Sequence, residues 1–139
     1  MVQLICGRKG KGKTTQLLSR VNEEIKTARG NIVFIDRNNA HMFELNNRIR
    51  LIDISRFPIE DSDEFTGFIC GILSQDHDIE SMYLDGFLKC ANLENSDPTQ
   101  TVLKLDRISN LFDINIVISI SLDKEELSDE VAEKVLISL

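Results

Sequence analysis

The chain predicts an α/β protein, a three-layer α/β/α sandwich around a mostly parallel sheet of five or six strands. Strand-like apolar runs alternate with helical patterns along its whole length, the arrangement that produces a parallel sheet covered by helices. The runs at 2–6 and 31–36 are continuous in apolar residues, as in strands buried on both faces. At 139 residues the chain has the length of one domain with one substantial core, and a single domain over residues 1–139 is expected.

Residues 2–6 form the first strand. Leu17, Leu18, Val21, Ile25 and Ala28 then recur at spacings of three and four, with Arg20, Glu23, Glu24 and Lys26 on other faces. They predict an amphipathic helix over 13–29 that packs on the sheet, ended by Gly30 in the left-handed cap conformation. Residues 31–36 are the second strand, and two such strands joined by a helix make a parallel βαβ unit. Residues 37–48 read as a loop and short helix with a polar surface. His41 belongs to it and has no second His, Cys or carboxylate at metal-ligand spacing, so a structural role is expected.

A third strand follows over 49–54. Pro58 breaks the chain, and the acidic residues at 60–64 mark the start of a helix that buries Phe65, Phe68, Ile69, Ile72 and Leu73. Gly67 and Gly71 stand one turn apart on it. Glycine costs a helix up to about 1 kcal/mol, so the pair implies close approach of another backbone, its own sheet being favoured over a dimer seam. Residues 79–86 give a strand ending in Asp85-Gly86. A connection over 87–97, with room for one helical turn, leads to a helix with Pro98 at its first position and Val102, Leu105, Ile108, Leu111 and Phe112 as its apolar residues. The fifth strand is 114–121, residues 123–130 form a short acidic helix, and 135–139 form a last strand.

Residues Gly7-Arg8-Lys9-Gly10-Lys11-Gly12-Lys13-Thr14 fit G-x-x-x-x-G-K-[ST] at every fixed position, directly after a strand and at the start of a helix. Glycines at 7, 10 and 12 let the backbone turn tightly, so that successive N–H groups line one concave surface suited to a polyphosphate. The helix start adds unpaired donors and a partial positive charge, and Lys13 adds a full one. By this logic the binding residues are Gly7, Gly10, Lys11, Gly12, Lys13, Thr14 and Thr15. Lys13 reaches the β- and γ-phosphates of a nucleoside triphosphate and the Thr14 hydroxyl ligates magnesium. A glycine- and lysine-rich surface turn without a ligand is the competing reading. Arg8, Lys9 and Lys11 either strengthen the local field or are solvated cations.

The charge distribution narrows the ligand. The net charge is −7, yet residues 1–29 carry +5 and the remainder −12. An acidic body with one basic patch suits a small anion and argues against a broad nucleic-acid footprint. Seven Phe, one Tyr and no Trp also argue against a base-stacking platform. Cys6, Cys70 and Cys90 form no C-x-x-C pair and lie in or beside apolar segments, as buried reduced thiols would. The strand at 2–6 leaves no room for a signal peptide and no apolar run approaches a membrane span, so a cytoplasmic location is expected.

The loop and the strand ending in Asp85 resemble the Walker A and Walker B elements of the P-loop NTPase superfamily, and the chain is similar to a minimal RecA-like ATPase domain of the ASCE type. The resemblance implies that Asp85 holds magnesium through water opposite Thr14. Asp36 ends another apolar strand, and its smaller separation from the loop favours Asp85 for that place. In the subgroup with an added strand between the loop strand and the Walker B strand, a catalytic glutamate often follows the aspartate directly, where this chain has Gly86. Some RecA-like members carry the water-orienting carboxylate at the end of the second strand, the position of Asp36. The implied catalytic set is therefore Lys13, Asp85 and Asp36. Ser119 or Ser121 stands where related ATPases sense the γ-phosphate, with a plain strand-end serine as the alternative. Arg37 and Arg107 are candidates for the arginine that meets transition-state charge.

Partition-type ATPases carry a lysine directly after the first glycine of the loop. Here Arg8 stands there, and Lys9 is assigned no role across a dimer. The chain resembles a minimal bacterial P-loop ATPase of a short family to which labels from twitching-motility ATPases are attached, but the likeness to those motors is confined to the phosphate loop and the Walker B region. Taken together, the resemblance implies magnesium-dependent binding of ATP or another NTP, with slow or partner-stimulated hydrolysis. A non-catalytic, nucleotide-controlled interaction module, acting on a protein partner or a second copy, is the rival class. A nucleoside or small-molecule kinase would need an arginine-rich lid, and none stands out between Asp85 and Ile114.

Overall fold

The computed structural model describes residues 1–139. Six strands, β1 (Val2–Cys6), β2 (Asn31–Asp36), β3 (Arg50–Asp53), β4 (Ile79–Leu84), β5 (Asn115–Ile120) and β6 (Val135–Ser138), form one sheet in the order β3-β2-β4-β5-β1-β6. Every pairing is parallel. Helices α1 (Lys13–Glu24), α2 (Ser62–Gln75), α3 (Phe87–Cys90), α4 (Thr99–Phe112) and α5 (Asp129–Ala132) complete the sandwich.

The period of two along each strand sorts the core into two clusters. Leu4, Val33, Ile35, Met82, Leu84, Ile116 and Ile118 face the larger one, with Phe65, Ile69 and Leu73 of α2 and Val102, Leu105 and Ile108 of α4. Ile5, Ile32, Phe34, Tyr83 and Val117 face the smaller one, closed by Leu17, Leu18, Val21 and Ile25 around α1. The chain thus leaves β1 for one face of the sheet and β4 for the other. The two outgoing loops part at the carboxyl edge, and a cleft opens between them, the usual ligand position in open α/β sheets.

Several local expectations give way to tertiary contacts. The regular helix α1 ends at Glu24, and Gly30 does not take a left-handed cap conformation. A Cβ at Gly30 would lie 2.1 Å from the Asp78 carbonyl oxygen, so this glycine exists for close approach. Gly67 and Gly71 show the reverse: both are exposed, and a Cβ at either would meet nothing within 4 Å. They contact neither the sheet nor another backbone. Asp61 caps α2, its carboxylate accepting from the Glu64 amide at 2.8 Å. Pro98 is the cap residue of α4 and not its first helical position. Residues 123–130 divide into a 3-10 turn at Lys124–Glu126 and the start of α5. Cys6 and Cys90 are buried thiols, whereas Cys70 is half-buried.

Candidate functional site

The loop between β1 and α1 depends on positive φ angles that L side chains resist: 151° at Gly7, 84° at Gly10 and 97° at Gly12. Gly7 lies buried at its base, donating its amide to the Leu122 carbonyl at 2.9 Å. Gly12 is the N-cap of α1, and no side chain caps that end and no acidic residue stands in its first turn. Its donors are left to the loop and the cleft. The Lys13 Nζ donates to the Arg8 carbonyl at 3.0 Å. Burial lowers the Lys13 ammonium below its ordinary pKa, and the nearby Asp85 and Cys6 oppose that shift. Arg8 is anchored outside the loop by ion pairs to Asp123, at 3.3 Å, and to Glu126.

The back of the cleft follows from strand register. Phe34, Tyr83 and Val117 are neighbours across β2, β4 and β5 and all face α1. Two residues further along each strand, on the same face, come Asp36, Asp85 and Ser119. An apolar row is therefore followed by a polar row at the carboxyl edge, under the first turn of α1. The Thr14 hydroxyl donates to Asp85 Oδ2 at 2.9 Å, the Ser119 hydroxyl donates to Asp85 Oδ1 at 2.7 Å, and the Gly86 amide donates to Ser119 Oγ at 2.8 Å. Ser119, read from sequence as a phosphate sensor or plain serine, holds the carboxylate of Asp85.

Asp36 is 7% exposed and accepts the Arg37 amide on Oδ1 at 2.7 Å. Burial raises its carboxyl above the ordinary range. The Arg37 amide opposes this and the neighbouring Asp85 charge adds to it. One ligand atom each of Asp36, Asp85 and His41 falls within 4.8 Å of the others. From sequence alone His41 reads as a structural histidine of a polar surface connection. Asp36 lies five residues before it and Glu44 three after it, whereas Asp85 comes from the end of β4, which sequence spacing does not reveal. Its Nδ1 bonds Glu44 Oε1 at 3.0 Å, an interaction that raises the imidazole above its usual pKa against the opposing effect of burial.

The cleft encloses about 1000 Å³, and of its nineteen lining residues only Leu88 and Leu122 are hydrophobic. Lys9, Lys13, Arg37 and Lys89 line it with Asp36, Asp85 and Glu94, while the Arg8 guanidinium is paired with Asp123 and Glu126, so the lining keeps a surplus of one positive charge on a chain of net −7. Such a lining suits an anion and offers no aromatic ring to a base. Gly10, Gly12, Lys13, Thr14, Thr15, Asp36 and Asp85 all line it, whereas Lys11 is exposed outside it, its amide donating to the Arg8 carbonyl at 3.3 Å. Arg37 and Ser121 border the cleft and Arg107 does not. Lys89, Glu94 and Asn95 are lining residues that no sequence pattern pointed to, since they follow a strand end in an irregular segment.

The α/β fold and the Asp36, His41, Asp85 cluster are compatible with nucleotide or metal binding. No helix is long and apolar enough to cross a membrane. No protein-family model matches the chain, and no curated protein matches it significantly. The chemistry of the site itself therefore carries the functional reading.

Proposed function

We propose that the chain is a P-loop nucleotide-binding domain whose cleft takes a magnesium nucleoside triphosphate such as ATP. The observation that carries this reading is the junction of β1 and α1: a G-x-x-x-x-G-K-T loop with left-handed glycines and an uncapped helix start opens on a cationic cleft. The sheet order supports it, because β5 lies between β1 and β4 as in the ASCE subgroup. The donor set also fits magnesium. The Thr14 hydroxyl and the Asp85 carboxylate are hard oxygen ligands in direct contact at one end of the cleft.

In this reading Lys13 and the loop amides bind the phosphates, Thr14 and Asp85 hold the ion, and Asp36 orients the attacking water. Magnesium, when bound, neutralises charge on the terminal phosphates. Hydrolysis is slow or partner-stimulated, since Gly86, at φ 68° with its amide tied to Ser119, occupies the position of the usual glutamate. The same observation favours a second reading, a nucleotide-controlled interaction module that binds without turnover.

Calorimetric titration with magnesium-ATP, followed by phosphate release on the same samples, tests both. Native protein binds, and Lys13→Ala weakens binding at least tenfold with an unchanged nucleotide-free melting temperature. Turnover separates the ATPase from the module. Absence of binding at millimolar magnesium-ATP refutes the nucleotide reading.

A further inference from the structure

We propose that Asp36, His41 and Asp85 form a binding site for a divalent transition ion of the Mn²⁺ or Zn²⁺ class in the nucleotide-free protein, using the Asp85 carboxylate that would hold magnesium once a nucleotide is bound. The donors converge from two parts of the chain: Asp36 and His41 from the end of β2 and the loop directly after it, and Asp85 from the end of β4. Two carboxylate oxygens with one imidazole nitrogen suit manganese, cobalt, iron or zinc, whereas magnesium prefers oxygen throughout.

Three independent features point to a ligand. First, Asp36 is more than nine-tenths buried, yet only its Oδ1 has a protein donor, leaving Oδ2 to the cleft. Second, Glu44 engages Nδ1 of His41 at 3.0 Å, so Nε2 is the ring atom left to the two aspartates. A carboxylate on the far side of the ring is the usual outer partner of a metal-bound histidine. Third, the Thr14 and Ser119 hydroxyls each use one lone pair of an Asp85 oxygen, which keeps that carboxylate oriented with acceptor capacity in hand. Ligands about 2.1 Å from an octahedral ion stand roughly 3 to 4 Å apart. The present limit of 4.8 Å leaves the three ligand atoms within about 1 Å of that spacing.

The site needs no nucleotide, so its test uses the metal alone. Mn²⁺ is titrated into metal-free native protein and followed by loss of the free-ion electron paramagnetic resonance signal, with pulsed measurements reading nitrogen coupling to the bound ion. Native protein takes up one ion with histidine nitrogen coupling. His41→Ala abolishes that coupling and weakens binding at least tenfold, and Glu44→Gln weakens it about tenfold. His77→Ala, at the other histidine of the chain, titrates as native. Circular dichroism checks that each variant is folded. Equal binding by native and His41→Ala protein, or no Mn²⁺ uptake by native protein up to millimolar concentration, overturns the proposal. A protein that binds Mn²⁺ but not magnesium-ATP refutes the nucleotide reading alone. One that binds magnesium-ATP with no dependence of Mn²⁺ uptake on His41 refutes the metal site alone.

Discussion

The Thr14 hydroxyl donates to Asp85 Oδ2 across 2.9 Å and ties the first turn of α1 to the end of β4. Ser119, 1% exposed, completes the arrangement by holding the other oxygen of Asp85 and accepting the Gly86 amide. Ser119→Ala removes a partner from a carboxylate and from an amide at once. It should cost about 1–3 kcal/mol in urea unfolding followed by far-UV circular dichroism. An unchanged midpoint would mean that the serine does not hold the strand end together.

Asp36 and Asp85 end adjacent parallel strands one residue beyond the Ile35 and Leu84 pair, on the same face. Burial and the neighbouring charge both disfavour the Asp36 carboxylate. Asp36→Asn keeps an acceptor for the Arg37 amide and removes the charge. It should therefore raise stability in metal-free buffer by up to about 1 kcal/mol while weakening Mn²⁺ binding. A loss of stability in thermal melts with chelator present would contradict this account.

The glycines divide into two kinds with opposite outcomes. Gly30→Ala drives a methyl group into the Asp78 carbonyl and against Glu80, whose carboxylate accepts the Gly30 amide at 2.6 Å. A loss of about 2 kcal/mol or more is expected. Gly67→Ala and Gly71→Ala add a methyl to open helix surface and should each stabilise by about 0.5–1 kcal/mol. Urea midpoints of the three variants decide it, and a destabilised Gly67→Ala protein would reveal a contact at that face.

Burial, with the Asp36 and Asp85 charges adding and Arg37 opposing, pushes the Cys90 thiol up to about 12. In the unfolded chain a thiol ionises near 8.5. Between about pH 9 and 12 the unfolded state thus binds fewer protons than the native one, and stability falls as pH rises. The loss is on the order of 1–2 kcal/mol by pH 10, and Cys90→Ala should flatten it. Tyr83, raised chiefly by burial and also by its 2.8 Å bond to Glu24, acts in the same sense at higher pH. Native protein treated with iodoacetamide at pH 8 should be modified first at half-buried Cys70, which mass spectrometry of the adduct locates.

Much of the fold was legible because strand and helix signals are local. The runs at 2–6 and 31–36, the spacing of Leu17, Leu18, Val21 and Ile25, and the acidic start of α2 each report the environment of their own segment. Glycine was the least legible residue. The same missing side chain serves left-handed turns at 10 and 12, close approach at 30 and open helix surface at 67 and 71. Only the neighbours distinguish these uses, and the neighbours are distant in sequence.

By itself, the sequence determined the alternation of strands and helices, the glycine loop that ends on Lys13 and Thr14, and the placement of Asp36 and Asp85 at strand ends, because each rests on residues a few positions apart. The tertiary structure alone decided which strands are neighbours. Placing β4 between β2 and β5 aligns Asp36, Asp85 and Ser119 in one row, and the loop after β2 brings His41 to it. Strand order is set by how helices of both faces cover a shared core, a property of the whole chain. For that reason His41, five residues from Asp36 in the chain, comes to lie beside Asp85 as well, forty-four residues further on.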